Sequence, residues 1–527
     1  MPTTASTATA TASAARTEHI VIVGAGFGGL GMAIKLKEAG FDDFTILDKD
    51  DGVGGTWRAN HYPGAQCDVP SHLYSFSFEP NPRWSRTFPL QPELLAYLEH
   101  CADKYDLRRH LVTGAEVVGA RFDEATGTWE VEVRDGRRWT ARAVVAATGG
   151  LSRPKLPELP GRDDFRGPWF HSARWDHDVD LRGKTVAVIG TGASAIQVVP
   201  NIVDDVGRLL VFQRTPPWIV PHTDRPIGAR EQALFARLPV TQKLARWSTY
   251  WQLEWRALAF TRATWMLKAA ERLVARHLAA QVADPALRAR LRPTYSLGCK
   301  RVLISDLYYP ALQRPNCELV SDGIAAITPT GIRTVDGQER AVDVIVYCTG
   351  FAAADDVAPY PVYGRGGRRL DLEWRDGAEA FLGTTVSGFP NMFTIVGPNT
   401  GLGHSSMVFM IESQVAYVMD ALAQLRARRW KYVDVRPEAQ DVFNQRLQTR
   451  LDRTVWNTGG CASWYRAANG KNVTLWPGFT AEYRLRTRRF DPAPYECVAD
   501  DAGARDRAAP APGDAPVVTL GAVAAGQ

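Results

Sequence analysis

Two glycine fingerprints, each set between an apolar run and a helical pattern, limit what this chain can fold into. The first lies in EHIVIVGAGFGGLGMAIKLKEAG, residues 18–40, as Gly24-x-Gly26-x-x-Gly29. The second lies in KTVAVIGTGASAIQVVP, residues 184–200, as Gly190-x-Gly192-x-x-Ala195. A strand, a glycine turn and a helix in that order make a phosphate site. The glycines let the backbone approach a pyrophosphate, and the helix N-terminus offers free N–H groups and the positive end of its dipole. One such pattern is weak evidence; two in one chain predict an α/β fold with two Rossmann-like dinucleotide-binding domains.

The strand after each fingerprint separates the two sites by charge. FTILD ends in Asp48, 24 positions beyond Gly24, where a carboxylate accepts hydrogen bonds from ribose hydroxyls and repels a 2′-phosphate. The first site is therefore expected to hold FAD or NAD. LLVFQRT places Arg214 24 positions beyond Gly190, with the opposite charge, and a guanidinium there can pair with a 2′-phosphate. The second site is expected to prefer NADP. Its turn offers Thr191, Ala193 and Ser194 as further contacts, with Gln197 on the helix that follows.

Two apolar runs closed by Thr-Gly, AVVAATGG at 143–150 and VIVYCTGF at 344–351, read as the crossings between domains. The expected plan is a discontinuous FAD domain, 18–150 plus 345–499, with an NADP domain, 151–344, inserted. Within the inserted domain a helical insertion spans about 223–290. There Trp247, Trp251 and Trp255 recur at i, i+4 spacing, on a face that is core, the substrate entrance or a membrane contact. Residues 1–17, rich in Ala, Thr and Ser, and 500–527, rich in Pro, Ala and Asp, read as disordered tails.

Composition narrows the function by exclusion. With 62 Lys+Arg against 57 Asp+Glu and no polybasic block, the net charge of +5 argues against a nucleic-acid partner. No apolar run is long enough to span a membrane, and the N-terminus lacks the h-region of a signal peptide. The cysteines, at 67, 101, 299, 317, 348, 461 and 497, show no C-x-x-C pair and no zinc-ligand spacing. They predict a reduced, cytoplasmic protein with no metal. Cys67 also lacks the neighbour that a flavoprotein disulfide reductase needs beside its flavin.

Between the fingerprints lies FRGPWFHSARWD, residues 165–176, with Phe165, Gly167, His171 and Trp175 at fixed intervals. It resembles the F-x-G-x-x-x-H-x-x-x-W-(P/D) fingerprint of type I Baeyer–Villiger monooxygenases. Related flavin-containing and N-hydroxylating enzymes usually carry Phe or Tyr in place of Trp175. GVGGTW (52–57), YPGAQCD (62–68), GCKR (298–301), GPNTGLGHSS (397–406) and ASWY (462–465) agree, so the resemblance covers about 18–490.

The resemblance implies FAD and NADPH as cofactors, O2 and a small-molecule ketone as substrates, and an ester or lactone as product. In this family NADPH reduces the flavin, oxygen adds at C4a, and a peroxyflavin anion attacks the carbonyl. Arg301 matches the cation that stabilises the anion, Asp68 matches the group that orients it, and Lys300 with Arg214 and Thr215 matches the holders of the 2′-phosphate. Thr56, Trp57 and Tyr74 match flavin contacts. His171, grouped with the catalytic residues, and Trp175 are assigned to coupling between domains. Trp464 is expected to close over the nicotinamide or to be a packed loop aromatic. The runner-up is N- or S-oxidation on the same scaffold, and a non-catalytic flavoprotein redox sensor is the reading from another class.

Overall fold

Each fingerprint opens from the central strand of a five-stranded, all-parallel sheet. The computed structural model describes residues 17–352 and 360–500. The two expected tails, except for Thr17 and Asp500, lie outside the described residues. In the first sheet the order is Met392–Thr394, Ala143–Ala146, Ile20–Val23, Phe44–Leu47, Leu111–Val112. In the second it is Trp169–His171, Val344–Tyr347, Thr185–Ile189, Arg208–Phe212, Cys317–Val320. The plan is therefore used twice. The fingerprint strand is flanked on one side by the strand leading to Asp48 or Arg214, and on the other by the strand ending in Thr-Gly.

These strands read as unbroken apolar runs because both faces of a parallel sheet are covered. One face of the first sheet packs against the helix Phe27–Glu38 and the long helix Met407–Ala427, burying Ile22, Leu30, Ala33, Val415 and Val418. The other face, through Val21, Val23 and Leu47, meets an antiparallel meander of Val117–Asp123, Thr128–Val133 and Arg138–Ala141. Trp129 of that meander is fully buried and its indole N–H donates to Pro390 O at 2.8 Å. The second sheet repeats this arrangement. The helix Ala195–Ile202 covers one face, and a meander of Ile324–Thr328, Gly331–Thr334 and Glu339–Ala341 covers the other.

The helical insertion consists of Ala229–Arg237, Pro239–Glu254, Arg256–Thr261, Trp265–Gln281 and Pro285–Arg290. Its tryptophan stripe is not core: Trp247 and Trp255 are 60% and 62% exposed. Among the described residues no helix is long and apolar enough to cross a membrane.

The expectation of wholly reduced cysteines is corrected. Cys299 and Cys461 form a disulfide across 162 residues, and the other five are free. Cysteine spacing could not reveal it, because the fold, not the chain, brings these two residues together.

Candidate active site

A single cleft of about 2730 Å³ runs between the two sheets. Every candidate residue lines it except Gly29 and His171. Gly24 has φ +109°, and a Cβ there would sit 2.5 Å from Ala147 O. Gly190 has φ +116°, and a Cβ there would sit 2.4 Å from Cys348 O. In both sheets, then, the first glycine lies against the carbonyl at the end of the crossing strand, a conformation and a closeness that only glycine allows. Gly29 acts from within the turn: its Cβ would fall 1.8 Å from Gly24 O. Gly26 and Gly192 face open space or Gly55, leaving room for a pyrophosphate to approach. These cradles fit dinucleotides.

Asp48 is 6% exposed and accepts from Ala25 N at 2.5 Å and Asp50 N at 2.9 Å. Burial raises its pKa, and the two backbone donors partly oppose that rise. The GVGGTW loop abuts the same turn, with Gly54 N donating to Ala25 O at 3.0 Å. Beyond it, the Trp57 indole donates to the Tyr74 hydroxyl at 3.3 Å, so two cleft-lining aromatics are locked edge to face. Thr56 opens the short helix that carries Trp57.

Arg214, exposed and on the cleft, has no hydrogen bond or ion pair among the described residues. Lys300 lies close by, over the Tyr295 ring at 5.0 Å, and its pKa is lowered by burial and then by the Arg214 charge. Two neighbouring cations without an acid suit a doubly charged anion, as a 2′-phosphate is. The Thr191 hydroxyl donates to Thr215 O at 3.1 Å, tying the turn to the segment that carries Arg214.

Where the two halves of the cleft meet, Arg301 Nε donates to Asp68 Oδ2 and Nη2 to Asp68 Oδ1, both at 2.6 Å. The Asp68 charge raises the arginine's pKa. Burial pushes the Asp68 carboxyl up, but Arg301's charge and hydrogen bonds outweigh this and hold it below the usual range. Both groups are therefore ionised at neutral pH. Nη1 is left without a partner among the described residues, and Arg301 lines the cleft. A fixed, oriented cation of this kind stabilises negative charge that develops during reaction.

His171 lies elsewhere. It is 4% exposed, accepts from Ala173 N at 3.1 Å through Nδ1, and stands edge-on to Phe351 with centroids 5.6 Å apart. Burial lowers its pKa to about 4, so it is neutral at pH 7. It does not line the cleft. Its strand pairs Tyr347 with His171, next to the Cys348 carbonyl that meets Gly190. Trp175 lines the cleft and packs edge to face on Phe170 at 5.0 Å. Trp464 is 44% exposed at the cleft and stacks obliquely on Tyr465.

Sequence reasoning missed several contacts. Gln197 Oε1 accepts from the Tyr62 hydroxyl at 2.9 Å and from Gln66 N at 3.3 Å, while its amide donates to Gln66 O at 2.9 Å. It thus stitches the second fingerprint's helix to the YPGAQCD loop of the first half. Tyr465 is buried close enough to Arg301 to feel its charge, and burial raises its pKa to about 12. The ASWY match pointed at this segment without singling out the tyrosine. The disulfide joins the residue before Lys300-Arg301 to the loop carrying Trp464.

A family model described as pyridine nucleotide-disulphide oxidoreductase matches residues 21–230. The chain is 51% identical over 477 residues to a Baeyer-Villiger monooxygenase of Pseudomonas aeruginosa, covering 90% of each chain. It is 50% identical over 481 residues to one of Streptomyces coelicolor, covering 91% of this chain and 92% of that one. Among solved structures, cyclohexanone monooxygenase from Rhodococcus sp. Phi1 bound to NADP+ superposes with a TM-score of 0.83 at 30% identity, over 92% of this chain and 99% of that one. OTEMO in complex with FAD and NADP gives 0.82 at 28%, over 91% and 99%. With its two cradles, its oriented arginine and relatives at this level, the chain belongs to the Baeyer–Villiger monooxygenases.

Proposed function

We propose that this chain is a FAD-dependent monooxygenase that uses NADPH and O2 to convert a small-molecule ketone into an ester or lactone, releasing NADP+ and water. The observation that carries the reading is the Asp68-held Arg301, set on one cleft that joins both glycine cradles. Bound FAD would take hydride from NADPH and pass the electrons to O2, one oxygen atom ending in the product and the other in water. The residues supply the rest. Gly24, Gly26 and Asp48 hold the FAD pyrophosphate and ribose. Arg214, Lys300 and Thr215 fix the NADPH phosphate. Arg301 presents a permanent cation to negative charge building on the oxidant and on the carbonyl oxygen. Asp68 is a positioning residue, since its two hydrogen bonds fix the direction of Nη1. Trp57 and Tyr74 exclude water from one wall. Dependence on NADPH keeps the cytoplasm as the proposed location, with the single disulfide as the feature that speaks against it.

Product analysis on a panel of ketones and thioethers tests the reading. Esters or lactones formed only with NADPH and O2 support it. Sulfoxides with no ester point to heteroatom oxidation on the same scaffold, and oxygen-independent silence toward both panels points to a non-catalytic flavoprotein.

A further inference from the structure

The helix Pro239–Glu254 turns apolar side chains outward. Its protein-facing side carries polar groups beside the buried Tyr250 and Leu253. Gln242 donates to Asn81 O at 2.7 Å, Arg246 donates to His72 O at 2.6 Å and Ser75 O at 2.9 Å, and Glu254 accepts from the Thr480 hydroxyl at 2.8 Å. Its outward side, at spacings of three and four and continuing one residue past the helix end, carries Val240, Leu244, Trp247, Trp251 and Trp255, exposed by 59%, 59%, 60%, 36% and 62%. A helix whose outer face meets only water has the reverse pattern. A continuous apolar stripe of this kind on a protein surface marks something that covers it.

The cleft does not explain the stripe, since no residue between 218 and 294 lines it. The surrounding charge narrows the choice of cover. Residues 229–281 hold nine Lys or Arg and three Glu. Arg237, Lys243, Arg262, Lys268 and Arg272 are exposed. All three acids are engaged: Glu231 with Arg225, Glu254 with Thr480, and Glu271 with Leu297 N. A second copy meeting this face about a two-fold axis would set cations against cations. An anionic lipid surface meets both features, because indole rings settle at the headgroup boundary while lysines and arginines pair with lipid charge.

We infer that the outward stripe of Pro239–Glu254 and its flanking cations dock the enzyme peripherally on an anionic bilayer. The docking does not depend on which reaction the cleft performs. It leaves the cleft free and needs no segment that spans the membrane.

Flotation of the full-length holoenzyme with vesicles tests this inference. Vesicles of phosphatidylcholine alone and of equimolar phosphatidylcholine and phosphatidylglycerol serve as probes. The protein should float with the mixed vesicles at least about tenfold more than with the neutral ones at low salt, the preference shrinking as salt rises. The combined Trp247→Ser, Trp251→Ser and Trp255→Ser variant should lose flotation while keeping its flavin absorbance and its turnover in buffer. A second variant, Lys243→Glu with Arg262→Glu, should lose the preference for anionic vesicles. Absence of wild-type flotation, or unchanged flotation of the triple variant, overturns the inference. So does a wild-type dimer that the triple variant converts to monomer without any vesicle binding, since the stripe would then be an interface between copies.

Discussion

The two glycine cradles share a backbone and differ in the charged side chain set beside them. In each, a positive-φ glycine lies against the carbonyl that ends the crossing strand, Ala147 in one sheet and Cys348 in the other. In each, the strand beside the fingerprint delivers one charged residue at the same offset. Asp48 is buried, with its oxygens on backbone amides; Arg214 is exposed beside Lys300 with no acid among the described residues. The shared backbone gives each site room for a pyrophosphate. The difference in charge is the ground on which one is proposed to take a free ribose and the other a phosphorylated one.

The largest expected effect separates the sites by what they hold. Gly24→Ala, with its Cβ against Ala147 O at positive φ, should yield colourless protein and no turnover. Gly190→Ala should remain yellow and fail only in NADPH use. Flavin absorbance after gel filtration checks both, and loss of colour in the second variant would break the division between the sites.

Between the sites, Arg301→Ala should keep FAD and still oxidise NADPH, while ester formation falls by about a thousandfold or more and hydrogen peroxide replaces it. Gas chromatography beside a peroxide assay reads the partition. Arg301→Lys, which keeps the charge but loses the bidentate grip of Asp68, should fall between wild type and Arg301→Ala.

A smaller effect sharpens the contrast of charge. Arg214→Ala should raise KM for NADPH about 10- to 100-fold, the worth of one charge-assisted hydrogen bond to a phosphate, and leave KM for NADH nearly unchanged. An unaltered NADPH to NADH preference would shift the phosphate to Lys300.

The smallest effect concerns the linker. His171 binds a proton near pH 6.5 when unfolded but only near pH 4 when folded. Its share of stability is thus complete above pH 6.5 and lost as pH falls from there toward 4, on the order of 3 kcal/mol in all. Urea midpoints against pH should show this fall, and His171→Gln should flatten part of it, since His72 is depressed to about 4 as well. His171→Ala should keep FAD yet slow turnover and leak peroxide. Full coupling in that variant would reduce the motif to a packed turn.

What was legible in the sequence is what acts over short distances along it. Gly24 and Gly190 carry their signal in the three or four residues around them, and Asp48 and Arg214 in the next strand. The Cys299–Cys461 bond was not legible because 162 residues separate its halves. The role of Gln197 was half legible, since its turn was recognised but not the Tyr62 and Gln66 that reach it from the other half. For Trp247, Trp251 and Trp255 the periodicity correctly put them on one face. It could not say which way the face points, because spacing fixes the angle between side chains and not what lies opposite them. His171 matched a catalytic family motif, yet it does not line the cleft, and its strand Trp169–His171 sits at the sheet edge beside Val344–Tyr347, a placement that spacing alone does not give.

The most direct test of the whole account is the oxygen balance of the wild-type enzyme with an accepted ketone. Under ¹⁸O2, one NADPH and one O2 should be consumed for each ester formed, with one labelled oxygen in the ester and the other in water. NADH should give far less product at equal concentration. Unlabelled product, or NADPH oxidation matched by hydrogen peroxide while the ketone is recovered intact, would contradict it.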